Sequence, residues 1–89
     1  MKTRTLPKFK SNIEIYNEGG IVTNPYSGET YLLDAEELSV YDYIMGCNHI
    51  MQMNGGPFSP MTREIQSELR KGLDWFRKHN PEAYMILLD

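Results

Sequence analysis

The chain has 89 residues, 40% apolar and 24% charged, with a formal net charge of −3, which is the size of one small domain. Its single cysteine, Cys47, excludes an intrachain disulfide and any cysteine-pair zinc site. No apolar run approaches the roughly 18 residues needed to span a membrane, so a membrane-spanning role is excluded as well.

Charge is unevenly spread along the chain. Residues 1–11 carry Lys2, Arg4, Lys8 and Lys10 and no acid, whereas residues 12–62 carry seven acids and no Lys or Arg. Residues 63–80 return to a net positive balance, with five bases against three acids. The expected organisation is therefore a basic N-terminal arm over 1–11, without fixed structure or folded back on the body, followed by one globular domain over 12–89. The arm has the charges that begin an export signal but lacks the apolar stretch behind them. With so little cysteine, a reducing cytoplasm is the expected location.

Asn12-Ile13-Glu14-Ile15-Tyr16 alternates polar and apolar, the period of a half-buried strand. Asn17-Glu18-Gly19-Gly20 reads as a turn whose glycines accept positive φ. Ile21, Val22 and Thr23 are β-branched and predict a second strand. Asn24-Pro25-Tyr26-Ser27-Gly28 is a second turn, with Gly28 at a left-handed position, and Tyr31-Leu32-Leu33 is a third strand. Together these predict a three-stranded antiparallel meander with one face to be covered by helices.

Asp34 is an N-cap, Glu36 and Glu37 suit the positive end of a helix, and Asn54-Gly55-Gly56-Pro57 is a stop, so a helix is predicted to about Met53. Apolar residues cover more than half its circumference, which marks it as the central helix. Its polar strip is Ser39, Asp42, Gly46 and His49. Ser59-Pro60 starts the next helix. There Met61, Ile65, Leu69, Gly72, Leu73 and Phe76 form one apolar arc, with polar groups elsewhere. A glycine inside that arc costs about 1 kcal/mol relative to alanine, which predicts close approach of a neighbour such as the central helix. Asn80-Pro81-Glu82-Ala83 starts a short C-terminal helix through Leu88, favoured over a strand by Pro81 and Glu82 in a first turn. The fold class is accordingly α+β: a small meander packed on two long helices and a short C-terminal one.

Chemistry-bearing residues do not converge in this pattern. Cys47 and His49 are two apart on a helix and diverge, so they cannot share an ion, and Cys47 reads as a small buried hydrophobe. Ser39, Asp42 and His49 share a strip, but Asp42 and His49 stand about 10.5 Å apart along the axis, too far for a triad. No catalytic residue, metal ligand or cofactor is expected, and the function class is a non-enzymatic interaction or accessory protein, acting on a protein partner or as a homodimer. Candidate partner-binding residues are Trp75 and His79, on the shoulder of the second long helix, and Met53 and Phe58, in a methionine-rich region between the long helices. The plainer reading of Trp75 is a rim residue over the core edge, and of the methionines core filling. The alternative is a nucleic-acid-binding factor using Lys2, Arg4, Lys8 and Lys10, helped by Arg77-Lys78, working against an acidic body that repels phosphate.

Asn24-Pro25-Tyr26-Ser27-Gly28, Tyr41-Asp42-Tyr43-Ile44-Met45-Gly46 and, above all, the stretch from Leu73-Asp74-Trp75-Phe76 through Asn80-Pro81-Glu82-Ala83 to Leu88-Asp89 resemble small uncharacterised proteins encoded by marine tailed bacteriophages. The resemblance spans residues 21–89. It implies an intracellular protein made in an infected bacterium and carries no site residue across.

Overall fold

A computed structural model describes residues 6–7, 9, 13–56 and 59–88, with only the backbone of Met61 included. Two strands, β1 (Gly20–Thr23) and β2 (Thr30–Leu33), precede helices α1 (Ala35–Met53) and α2 (Arg63–His79). A 3-10 turn, Pro60–Thr62, leads into α2, and the short α3 (Pro81–Ala83) continues as a π-helical turn, Tyr84–Leu88. The α+β class follows the sequence pattern, whereas the helix start predicted at Ser59-Pro60 is a 3-10 turn and α2 itself begins at Arg63, after Thr62, which makes no side-chain cap bond.

The predicted meander is corrected to a two-stranded antiparallel hairpin. Ile21 faces Leu32 and Val22 faces Tyr31 in its register. Residues 13–16 form no strand, because the backbone polar group that a ladder would satisfy finds a helix instead. The Tyr16 N–H donates to Ser39 Oγ at 2.9 Å, and Ser39 in turn donates to the Ala35 carbonyl at 2.7 Å. Ser39, expected on a polar surface strip, is buried by this bridge. Gly28 takes φ 78° as predicted, while Gly19 and Gly20 do not use positive φ. Gly19 is required for another reason: a Cβ there would lie 1.9 Å from the Leu33 carbonyl oxygen.

Asp34 caps α1 through a complete capping box: its side chain accepts from the Glu37 N–H at 2.8 Å, and Glu37 accepts from the Asp34 N–H at 3.0 Å. Glu37 is only 6% exposed, so its second carboxylate oxygen needs a partner too. Asn80 supplies it, donating to Glu37 Oε2 at 2.8 Å, while the Asn80 carbonyl oxygen accepts from the Ala83 N–H at 3.2 Å and caps α3. One amide therefore ties the start of α1 to the end of α2 and the start of α3. The C-terminal turn is further anchored where the Asn24 side chain donates to the Ile86 carbonyl at 2.9 Å.

The core is formed by Leu33, Val40, Tyr41, Ile44, Trp75, Phe76, Ala83 and Leu87. Leu6, Phe9 and Ile13 pack against it, so part of the N-terminal stretch joins the body, and the Phe9 ring lies 4.1 Å from that of Tyr43. Lys2, Arg4, Lys8 and Lys10 lie outside the described residues. At Gly72 the expected close approach is present: a Cβ would sit 2.6 Å from Ile44 Cγ1 and 2.9 Å from Cδ1. The α2 backbone thus rests directly on a buried side chain of α1.

Two stability outcomes follow from these contacts. Gly72→Ala gains helix propensity but overpacks the Ile44 contact, so thermal or urea melts should show a net loss of about 1–3 kcal/mol. Ile44→Ala in the same chain should make the two changes strongly non-additive, with part of the Gly72→Ala loss recovered. Asn80→Ala removes a cap and one donor to the buried Glu37 carboxylate, a loss of about 2 kcal/mol. Asn80→Asp keeps the cap acceptor but sets a second carboxylate against Glu37. That variant should melt lower than the parent chain in the same thermal or urea experiments.

Candidate functional site

Packing α1 on α2 leaves a groove on either side of their line of contact. The first groove, a hollow of 410 Å³, is lined by Asp42, Tyr43, Gly46, Cys47, Ile50, Glu64, Ile65 and Glu68. Its carboxylates are already engaged in part: Glu68 is buried, accepts from the Tyr43 hydroxyl at 2.9 Å and pairs with Lys71 at 3.0 Å. Asp42 accepts a hydrogen bond from the Tyr16 hydroxyl, which pushes that phenol's pKa up, with the carboxylate charge adding to the rise. Cys47 lies buried at the base of the groove. Burial pushes its thiol up, a hydrogen bond with Tyr43 opposes the shift, and the Glu68 charge reinforces it. The chemistry on this side is that of a protonated thiol under a set of anionic groups.

The second groove is apolar. A hollow of 340 Å³ is walled by Tyr41, Ile44, Met45, Leu69, Leu73, Leu87 and Leu88, with Asn24, Pro25, Tyr26 and Asn48 at its margin. A second hollow of 260 Å³ shares Leu69 and Leu73 with it and adds Met51, Gln66, Arg70, Asp74 and Arg77. The two form one trough along α2. Methionine on both stretches suits a surface that adapts to what it covers, because its unbranched side chain repacks easily. Tyr26, at 95% exposure, stands at the open end of the trough.

The structure redistributes the residues singled out from sequence. Trp75 is not a shoulder residue: it is 6% exposed, edge-on to Phe76 at 5.3 Å and against His79 at 5.1 Å. A two-helix projection leaves Trp75 at the rim. The C-terminal turn and the N-terminal Leu6, Phe9 and Ile13 extend the core that contains it. His79 is half-buried under that ring, so neither residue offers a free anchor. Met53 is 71% exposed at the end of α1, whereas Met51 is buried and Met45 partly buried in the trough wall. Phe58 and the side chain of Met61 lie outside the described residues. Leu69 and Leu73 belong to the apolar arc of α2 and Leu87 and Leu88 to the C-terminal turn, and the pattern within either element does not show that the four line one hollow.

Among the described residues, no three His, Cys, Asp or Glu side chains are grouped to hold a metal ion, and no helix is long and apolar enough to cross a membrane. No protein-family model, curated protein or solved structure matches the chain.

The thiol provides a direct check on this geometry. Alkylation of Cys47 by iodoacetamide near pH 8 should run at least about tenfold slower in the folded chain than in urea. Because the folded-state pKa is raised, the contribution of the thiol to stability is complete below its ordinary pKa of about 8.5 and falls away as pH rises past it. Cys47→Ala should remove that alkaline decline.

Proposed function

We propose that the protein is a non-enzymatic interaction module that binds a protein partner across the apolar trough between α1, α2 and the C-terminal turn. The observation that carries this reading is the trough itself: Tyr41, Met45, Leu69, Leu73, Leu87 and Leu88 line one continuous depression at the surface of a very small domain. Tyr41 and Leu87 are themselves buried, and the partly exposed Met45, Leu69, Leu73 and Leu88 form the apolar surface that a partner would cover. Its walls come from helices locked to each other at Gly72 and Glu37–Asn80, so the surface is preorganised and little conformational entropy is lost on binding. On the resemblance read from residues 21–89, the protein is an accessory factor of a bacteriophage, working in the host cytoplasm on a host or phage protein.

The nucleic-acid reading rests on the basic residues of the N-terminal stretch and on Arg77 and Lys78, both exposed on α2. It is the weaker reading, because the Arg77 guanidinium is already paired with Asp74 and lies over the Tyr84 ring at 5.5 Å.

A photo-cross-linking residue in place of Tyr26 tests the trough, since that position is solvated and its substitution should leave the melting temperature unchanged. The expected result is one protease-sensitive adduct in the cell of origin, formed from position 26 and absent when the same probe replaces Glu29. An adduct removed by nuclease and untouched by protease supports the nucleic-acid reading instead.

A further inference from the structure

Resting on the interaction reading, we infer that the trough takes an acidic amphipathic helix of a partner protein, laid alongside α2 with its apolar side on Leu69 and Leu73 and its carboxylates on a row of arginines. Arg63, Arg70 and Arg77 are seven residues apart and line up along one side of α2. At 3.6 residues per turn each step of seven returns to within about 20° of the last, so the three guanidiniums form a nearly straight row along α2. Arg70 and Arg77 line the trough directly, beside Leu69 and Leu73.

Spacing selects the kind of ligand. Successive arginines in the row are about 10.5 Å apart along the helix axis. A partner helix with carboxylates at heptad spacing repeats at the same interval, so each acid meets one arginine while the intervening apolar positions face the trough. Nucleic-acid phosphates repeat much more finely, about 3.4 Å per strand, and do not call for an apolar strip beside the cations. The other flank of α2 also disfavours a long polyanion, because Glu64 stands there with Asp42 of α1.

The row has cations to offer. Asp74 shares the face of the row and holds Arg77, which leaves Arg63 and Arg70 as the cations with no ion-pair partner among the described residues. Arginine beside an apolar surface is a common recognition device, since its flat, weakly hydrated guanidinium pairs with a carboxylate in two-point geometry. Methionines on the trough floor, Met45 and Met51, allow the apolar contacts to adjust to the residues of the incoming helix.

The test is fluorescence anisotropy with the full chain and three labelled helical peptides sharing leucines at the a and d positions. Their e and g positions carry glutamate, glutamine or lysine. The expected order is glutamate tightest, glutamine about tenfold weaker and lysine weakest, with the glutamate affinity falling as salt is added. The double variant Arg63→Glu/Arg70→Glu changes only side chains at the surface of α2, and its melting temperature verifies that it folds. It should weaken the glutamate peptide about tenfold and strengthen the lysine peptide. Equal binding of the glutamate and glutamine peptides overturns the acidic partner while leaving the apolar trough as a docking site. Failure of all three peptides overturns the helical partner. Binding of a mixed-sequence DNA duplex that the double variant abolishes overturns both this inference and the interaction reading. Concentration-dependent dimerisation of the chain alone, lost in the double variant, makes a second copy the occupant and overturns the proposal as well.

Discussion

Everything on the functional side of this molecule depends on how closely α2 can approach α1. With glycine at position 72, Ile44 of α1 reaches into space that any Cβ on α2 would occupy. That contact draws two cylinders together along one line and leaves their outer surfaces diverging, so grooves on both sides are a geometric consequence. The cost of glycine in a helix, about 1 kcal/mol, is offset by dispersion contacts and apolar burial at the seam. A larger residue at position 72 would separate the helices and make both grooves shallower.

Close packing alone would leave the helix ends loose, and a buried polar knot holds them. Asp34, Glu37 and Asn80 satisfy one another's hydrogen bonds, and the Tyr31 hydroxyl donates to Glu82 at 3.1 Å at the edge of the same group. Such a group stabilises only when every member has a partner, because each buried oxygen or N–H lost to water is costly to leave unmatched. Here it joins β2, α1, α2 and α3 at one end of the helix pair. The end of the trough formed by Leu87 and Leu88 is thereby held in place relative to Leu69 and Leu73.

The two grooves differ in charge because α2 carries its glutamates and its arginines on different faces. Glu64, Glu68 and Lys71 fall on one flank and Arg63, Arg70, Asp74 and Arg77 on the other, with the buried side between them. Helix periodicity performs this sorting: a step of seven preserves the face, whereas a step of one or two crosses it. The net charge of −3 therefore hides a surface of opposite local signs. Arg70 and Arg77 line the smaller of the two apolar-side hollows, which meets the larger one at Leu69 and Leu73, so charge and apolar surface adjoin on that side.

Local signals in the chain determined α1 with both its ends and the start of α3. Asp34 with Glu37 starts α1, Gly55 and Gly56 at positive φ end it, and Asn80-Pro81 starts α3. These are interactions over three or four residues, so neighbouring letters suffice to specify them. Gly72 was legible as well, since a glycine in an apolar arc marks a point where a neighbour comes too close for any side chain. What only the tertiary structure decided is long-range. Residues 13–16 carry a strand-like alternation, but Ser39, 23 residues from Tyr16, takes the backbone N–H that a ladder needs. Trp75 looks like a rim residue in a helical projection, but segments from both ends of the chain extend the core that contains it. The trough was hidden for the same reason: its walls come from α1, α2, the hairpin turn and the C-terminal turn. Which apolar residues are covered and which stay open depends on where those four meet, and no periodicity within a single element records that.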